Sequence, residues 1–261
     1  MNLSLIGKNA LVGGSSKGIG KAIAIELALL GANITLVARS TDLLHDVKME
    51  LDNSHGQHHD YLAVDYNDSR ILLQRITAIT ELKPIHILIN NTGGPAAGSI
   101  VEAEGSAFED AFRQHLLANH LLTQNVIQGM KKEGYGRIIN IISTSVKQPL
   151  ENLGVSNTIR GAVANWAKTM ANELGQFGIT VNNVLPGATR TERMLAIVSR
   201  QVVASGKTNE EVEQAMIQAI PLGRIGEAQE VAAAVAFLAS PAASYISGIN
   251  LPVDGGRTKS L

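Results

Sequence analysis

Short apolar runs alternate with longer, periodically apolar segments along the whole chain. The runs are rich in β-branched residues, which is typical of strands that are buried on both faces. They lie at residues 9–14, 33–39, 60–65, 85–91, 136–143, 178–186 and 248–256. Each run therefore predicts one strand.

The segments between these runs have helical periodicity. In residues 18–30, Ile23 and Leu27 fall on one face of a predicted helix, and longer helices are predicted at 108–132 and 154–177. A regular alternation of strands and helices predicts an α/β fold with right-handed crossovers. We expect a Rossmann-type doubly wound parallel seven-stranded sheet with helices on both faces.

One segment departs from this alternation. Residues 188–220 are helical and charged, and they follow the carboxyl end of a predicted strand. Ligands of doubly wound sheets bind at that edge, so this segment is expected to be a lid that contributes to substrate specificity. The sequence contains no low-complexity linker, and we expect residues 1–261 to form a single domain.

Composition narrows the choice of function. The net charge of −1 gives no reason to expect nucleic acid or an anionic membrane as a partner. The absence of cysteine excludes disulfides and thiolate metal sites. We expect a cytoplasmic protein, because the sequence shows no signal-peptide pattern and no apolar run of membrane-spanning length. The histidines in residues 55–59 lie in a predicted turn without carboxylates at ligand spacing, so no metal is expected.

The glycine-rich stretch GGSSKGIG joins the first predicted strand to the first predicted helix. It covers residues 13–20. Glycines permit a tight turn and a close approach of the backbone to phosphate, and a helix N-terminus offers N–H donors to anions. In this strand–loop–helix context the stretch predicts a dinucleotide site.

The end of the second predicted strand indicates which dinucleotide binds. NAD-binding sheets place an acidic residue about 20 residues after the loop, but here Ala38 and Arg39 occupy that strand end. A guanidinium binds a 2′-phosphate, which a carboxylate would repel. Lys17, within the loop, adds a second positive charge. We therefore predict NADP(H) rather than NAD(H), the alternative being that both residues are ordinary surface charges.

Further motifs follow in a specific order. They are NNTGG (90–94), IIS (141–143), LPGATRTE (185–192) and a C-terminal stretch beginning PLGRIGEAQEV. Together with the glycine-rich loop they resemble the short-chain dehydrogenase/reductase family, especially its β-ketoacyl-acyl-carrier-protein reductase-like members. The resemblance covers nearly the whole chain.

The resemblance implies a role for each residue that matches a family motif. Cofactor-binding roles are implied for Gly14, Ser16, Gly18, Ile19 and Gly20 (pyrophosphate and adenosine), Asp65 (adenine), Asn91 and Gly93 (fourth strand end), and Pro186, Gly187 and Thr191 (nicotinamide carboxamide). Ser143 matches the catalytic serine that hydrogen-bonds the substrate carbonyl. A homotetramer is also implied, with helices at 102–133 and 154–177 in one interface and residues 227–256 in the other.

The rest of the family's catalytic tetrad does not match this sequence. Ser156 stands where tyrosine is expected, and Arg160 stands where lysine is expected. The usual asparagine position holds His115, although Asn119 lies one helical turn away. A serine hydroxyl is about five to six pKa units less acidic than a phenol, so proton donation from Ser156 costs roughly 7–8 kcal/mol more.

Arg160 keeps the positive charge and is expected to bind the nicotinamide ribose. Three proton donors remain open: His115, whose ordinary pKa lies near neutrality, Lys147 in the loop after Ser143, and water held by Ser143 and Ser156. In the alternative interpretation, His115 is a packed helix residue and Lys147 a solvated loop charge.

The leading hypothesis is an NADP(H)-dependent short-chain oxidoreductase that reduces the carbonyl of a 3-oxoacyl thioester or another ketone. The retained Ser143, Thr191 and lid favour this enzyme. The alternative is a catalytically silent NADP(H)-binding sensor or partner subunit, which the missing phenol favours.

Overall fold

A computed structural model describes residues 1–260, whose strands form one parallel sheet. The strands are β1 Asn9–Gly13, β2 Asn33–Ala38, β3 Asp60–Ala63, β4 Ile87–Asn90, β5 Gly136–Ile141, β6 Ile179–Pro186 and β7 Asn250–Val253. Their order is β3-β2-β1-β4-β5-β6-β7, and every neighbouring pair is parallel. The predicted α/β doubly wound sheet is confirmed, and its order reverses between β1 and β4.

Helices cover both faces of this sheet. They are α1 Gly18–Leu29, α2 Thr41–Glu50, α3 Ser69–Leu82, α4 Gly105–Phe112, α5 Ala118–Glu133, α6 Gly154–Leu174, α7 Glu192–Ser205, α8 Asn209–Gln218 and α9 Ala228–Ala239. Alternate strand residues separate the two cores: Ile87 and Ile89 pack with α1, α2 and α9, whereas Leu88 packs with α3, α5 and α6. This two-sided burial explains the nearly continuous apolar strands.

The long helix predicted at 108–132 is not a regular α-helix. It begins three residues earlier as α4, passes through a π-helical turn at Arg113–Leu117, and continues as α5. Such turns often occur at functional sites, because the inserted residue redirects the side chains around it. His115 lies in this turn and is fully buried.

A ladder of four asparagines crosses the sheet from β4 to β7. Asn90 donates from Nδ2 to Oδ1 of Asn140, Asn140 donates likewise to Asn183, and Asn183 donates to Asn250, each at 2.8 Å. The four residues are also partners in the strand register. The bonds offset the cost of burying these amides within an otherwise apolar layer.

The expected lid segment forms α7 and α8 after β6. The two helices share a small apolar cluster of their own, which includes Met194, Val198 and Val212. Thr191 caps the N-terminus of α7, and Thr208 starts α8 with a capping box. None of the helices in residues 1–260 has the length and apolar character needed to cross a membrane.

Candidate active site

The loop between β1 and α1 has the backbone geometry of a phosphate cradle. Gly14 and Gly18 adopt left-handed φ angles of 56° and 57°, which side chains disfavour. A Cβ on Gly20 would lie 2.2 Å from the carbonyl oxygen of Gly14, so only glycine allows the helix to approach the strand this closely. The glycine pattern is therefore required by the turn itself.

The first turn of α1 has no side-chain cap, so its backbone N–H donors are open to a ligand. Its N-cap residue, Lys17, forms no side-chain capping bond, whereas Ser40, Asp68, Thr191 and Thr208 cap α2, α3, α7 and α8. Uncapped N–H groups and the positive end of the helix dipole attract phosphate. The residues present thus fit the pyrophosphate of a dinucleotide.

Two side chains fix the position of this loop. Asn91 donates from Nδ2 to the carbonyl oxygens of Gly13 and Gly14, at 3.1 and 3.4 Å. Ser15 Oγ accepts a hydrogen bond from the backbone N–H of Val37 at 2.9 Å, which ties the loop to β2. Asn91 is therefore a positioning residue for the loop as well as a residue of the site wall.

The residues expected near the adenosine half lie at the ends of β2 and β3. Arg39 follows β2 and is exposed, and half-buried Asp65 follows β3. Lys17 forms an ion pair with Glu192 in the first turn of α7, so its charge also connects the loop to the lid segment. Ser16 is half-buried within the loop, and Gly93 is exposed after β4.

A cavity of about 720 Å³ lies at the carboxyl edge of the sheet, beneath α7. It brings together several of the residues predicted from sequence, contributed by the β4, β5 and β6 ends and by α1, α6 and the lid. These are Ile19, Asn91, Ser143, Ser156, Arg160, Pro186, Gly187 and Thr191. Gly14, Ser16, Lys17, Gly18, Gly20, Arg39, Asp65, Gly93, His115 and Lys147 are outside the wall formed by the described residues.

Ser143 and Ser156 present hydroxyl groups to this cavity. Ser143 follows β5, and its Oγ accepts a hydrogen bond from the backbone N–H of Ser145 at 3.1 Å. Its hydroxyl proton can therefore be donated to a ligand oxygen. Ser156 lies in the first turn of α6, with a residue exposure of 6%.

Arg160 lies one turn after Ser156 and is also buried. Its guanidinium donates from Nη1 to the carbonyl oxygen of Ile141 at 3.1 Å, and from Nη2 to that of Thr92 at 3.5 Å. No carboxylate in residues 1–260 forms an ion pair with it. Burial, and then the charge of Arg193, lowers the pKa of Arg160 to about 10, so the group remains a cation at pH 7.

The pKa of His115 is far below the near-neutral value expected of a proton donor at pH 7. Burial is the main cause, followed by the charges of Arg160 and Arg193, and together they lower its pKa to about 2. Its Nδ1 forms a short hydrogen bond with Thr92 Oγ1, and its Nε2 has no partner within residues 1–260. The ring is therefore neutral at pH 7 and has no imidazolium proton to give.

Lys147 and Asn119 are the other residues considered for the tetrad. Lys147 is half-buried and ends the short 3₁₀ turn Thr144–Val146, where its backbone N–H donates to Thr144 at 2.9 Å. Asn119 is 3% exposed on α5, and its Oδ1 has no hydrogen-bond partner among residues 1–260. Neither side chain is part of the cavity wall described by residues 1–260.

Some site residues were missed from sequence. Asn152 lines the cavity with a left-handed φ of 55°, and the loop after β4 packs over it, because Gly98 donates its N–H to the Asn152 carbonyl at 2.8 Å. Arg193, Arg200 and Arg257 also line the cavity. The seven-residue spacing of Arg193 and Arg200, two turns of a helix, was a signal that could have placed both on one face.

Residues 14–258 match a family model described as enoyl-(acyl carrier protein) reductase. The chain is 35% identical over 258 residues to 3-oxoacyl-(acyl-carrier-protein) reductase of Vibrio cholerae, covering 97% of this chain and 98% of that one. The chain belongs to the short-chain dehydrogenase/reductase family. This confirms the resemblance inferred from the motifs and identifies the protein as an oxidoreductase of that family.

Other members of the family share the whole architecture. The 7α-hydroxysteroid dehydrogenase of Escherichia coli K12 is 32% identical over 262 residues, covering 100% of this chain and 98% of its own. The structure of L-sorbose reductase from Gluconobacter frateurii, in complex with NADPH and L-sorbose, superposes with a TM-score of 0.93 at 30% identity, covering 100% of both chains. These relatives support binding of a nicotinamide dinucleotide by this short-chain dehydrogenase/reductase.

Proposed function

We propose that this protein is an NADP(H)-dependent reductase of a carbonyl compound, either a 3-oxoacyl thioester or another ketone. The observation that carries the proposal is the single cavity shared by Ser143, Ser156 and Arg160 with Pro186 and Thr191. Pro186 and Thr191 would hold the nicotinamide, which would supply the hydride for a carbonyl carbon in that cavity.

The side chains have separate roles in this proposal. Ser143 donates a hydrogen bond from its hydroxyl to the carbonyl oxygen, because its Oγ already accepts from the Ser145 N–H. The buried cation of Arg160 stabilises negative charge that develops on that oxygen and orients the nicotinamide ribose. Gly187 completes the backbone contact to the nicotinamide carboxamide.

The proton that replaces the missing phenol proton comes from water held between Ser143 and Ser156. A serine at position 156 leaves the space of an aromatic ring open in the cavity wall, and both hydroxyls bind water well. The low pKa of His115 argues against the histidine as donor. Lys147 is the competing donor, and a Lys147→Met variant with unchanged kcat and pH profile supports water.

Cofactor preference follows from the β2 end. Arg39 is exposed beside the N-terminus of α2, where a guanidinium and the helix dipole attract a 2′-phosphate together. Lys17 is ion-paired with Glu192, so Arg39 is the principal determinant of cofactor preference. We therefore propose NADP(H) as the cofactor. The cytoplasm is the proposed location, as expected from the sequence.

The decisive experiment follows NADPH oxidation with ketones, 3-oxoacyl thioesters, diketones and quinones. Turnover by the wild type, with kcat lowered about 10²- to 10³-fold in Ser143→Ala, supports the reductase. Ser145→Ala is the matched control, because its hydroxyl is buried outside the described cavity wall. An inert wild type, together with turnover in the Ser156→Tyr/Arg160→Lys variant, would instead establish the silent NADP(H)-binding protein.

A homotetramer is proposed as the working assembly. Phe112 and Leu117, on the α4–α5 surface, are 40% and 47% exposed, and Tyr245, in the segment expected at the second interface, is fully exposed. Covering such side chains with a second copy removes apolar area from water. Light scattering is expected to give a tetramer mass that falls in Phe112→Asp and Tyr245→Asp variants.

A further inference from the structure

One wall of the cavity is strongly cationic. Arg193 and Arg200 contribute it from α7, and Arg257 contributes from the chain after β7. Among residues 1–260, Glu151 is the one acidic residue that lines the same cavity, and it is exposed. The cavity wall therefore has an excess of positive charge before any substrate enters.

This excess does not reflect a shortage of acids in the same region. Arg190, just before α7, pairs with Glu213 at 3.2 Å and with Glu227 at 3.3 Å. Arg224, after α8, pairs with Glu230 at 2.6 Å. Arg190 and Arg224, which flank the lid helices outside the cavity wall, thus have carboxylate partners.

The arginines inside the cavity have none. No acidic side chain in residues 1–260 forms an ion pair with Arg193, Arg200 or Arg257. Clustered like charges without counter-charges are unfavourable, and an anionic ligand removes that cost when it binds. Three arginines without carboxylate partners on one cavity wall therefore favour an anionic ligand.

Arg193 is also held in a fixed position. It donates from Nη1 to the carbonyl oxygen of Gly94 at 2.8 Å and from Nη2 to that of Pro95 at 3.2 Å. Partial burial, and then the charge of Arg200, lowers the pKa of Arg193, and both residues line the same cavity. These carbonyls orient the group without neutralising it.

Arg257 lies where the main cavity meets a second cavity. It lines both the main cavity and an adjoining cavity of about 400 Å³, together with Asn152, Gln201 and Met216. Ser143 and Ser156 line the main cavity alone. Arg257 thus belongs to the part of the main cavity that adjoins the second one, whereas the two serines do not.

We propose that Arg193, Arg200 and Arg257 bind an acidic group of the substrate, so that the substrate is an oxo compound bearing a carboxylate or a phosphate. Guanidinium forks match the oxygens of both groups. A neutral ketone, or a thioester without an acid group in this part of the cavity, leaves the arginine wall unused. This inference rests on the proposed function, because it assigns the substrate class of the same site.

The test uses matched pairs of probes on the NADPH-loaded protein. Acetoacetate is compared with methyl acetoacetate, and dihydroxyacetone phosphate with dihydroxyacetone, by nicotinamide fluorescence titration and by NADPH oxidation. The anionic member of at least one pair is expected to bind at least about tenfold more tightly, and added salt is expected to reduce that preference. The pair that shows the preference distinguishes carboxylate from phosphate.

Variants locate the preference within the cavity. Arg200→Gln and Arg257→Gln are each expected to weaken binding of the anionic probe about tenfold and to leave the neutral probe unchanged. Arg190→Gln is the matched control, since its partners lie outside the cavity. Equal binding of both members of each pair, or an anion preference that persists in both cavity variants, overturns the proposal.

The same titrations separate this inference from the proposed function. NADPH binding with arginine-dependent anion binding but no turnover rejects the reductase and retains the anion site. Turnover of neutral ketones or neutral 3-oxoacyl thioesters that Arg200→Gln and Arg257→Gln leave unaffected retains the reductase and rejects the anion site. If the wild type does not bind NADPH, both the reductase and the anion site are rejected.

Discussion

Arg160 donates a hydrogen bond to the carbonyl oxygen of Ile141 at 3.1 Å. Ile141 lies two residues before Ser143, so this bond holds the buried guanidinium against the strand that leads to the serine. The guanidinium is thus attached to the strand end that carries the serine, and it has no carboxylate partner within residues 1–260. Its charge remains available to a ligand in the cavity.

Replacing this cation with an apolar side chain is expected to impair the reaction. Arg160→Met removes the charge that stabilises a developing oxyanion, and kcat is expected to fall about 10²-fold. Arg160→Lys keeps the charge and is expected to retain most of the rate. Steady-state kinetics with NADPH check both variants; equal rates in Arg160→Met and the wild type would remove Arg160 from the mechanism.

Cofactor choice is expected to depend on Arg39. An Arg39→Asp variant exchanges an attractive charge for a repulsive one, so the affinity for NADPH is expected to fall about 10²-fold while that for NADH holds or rises. Fluorescence titration with both nucleotides measures the change. Arg75→Asp, at an exposed position on α3, supplies the control, and an identical effect there would point to a general charge effect.

Acid sensitivity of the fold is expected to depend in part on His115. Its folded-state pKa of about 2 lies below its ordinary value, so the unfolded chain binds the proton more readily, and stability falls as the pH drops below about 6.5. Between pH 7 and pH 5 this histidine accounts for a loss of about 2 kcal/mol.

Urea unfolding at both pH values measures that loss. His115→Asn is expected to flatten the pH dependence whatever its effect at pH 7, and His45→Asn, at an exposed position, is the control. In the Arg160→Met variant, NMR titration is expected to show a higher pKa for His115, because one of the charges that depress it is gone. An unchanged pH dependence in His115→Asn would mean that other groups carry it.

The phosphate cradle is expected to be intolerant of one methyl group. In Gly20→Ala the new Cβ would meet the Gly14 carbonyl oxygen at 2.2 Å, so the loop must move, and NADPH affinity is expected to fall at least about tenfold. Gly129→Ala in α5 meets its nearest neighbour at 3.5 Å, an ordinary contact, and is expected to bind NADPH normally. Isothermal titration distinguishes the two.

The fold was predictable because its signals are local. Each predicted run contains a strand, and the central strands β1, β4, β5 and β6 are buried along nearly their whole length, as apolar runs on both faces require. The π turn around His115 was not predictable, because it changes the hydrogen-bond spacing without changing the apolar pattern. Motif order predicted the glycine-rich loop and Ser143 as site residues, and Ser143 lines the cavity, but the motifs gave no information on the side chains around either.

Long-range pairing explains what sequence reasoning missed at the site. Lys17 and Glu192 are 175 residues apart, and only the fold brings them together. The depressed pKa of His115 likewise depends on burial and on two arginines from other elements. The charges of the lid were visible in the sequence, but the division between paired and unpaired arginines became visible only with the cavity.

The asparagine ladder has a consequence for the edge of the sheet where Thr92, Ser143 and Pro186 meet. Sliding any of its strands by one residue would turn that strand's asparagine towards the opposite layer and break the chain of amides. The amide hydrogen bonds thus fix the register of the strands from β4 to β7. The relative positions of the three strand ends that line the cavity are therefore fixed by buried amides, whichever substrate the cavity accepts.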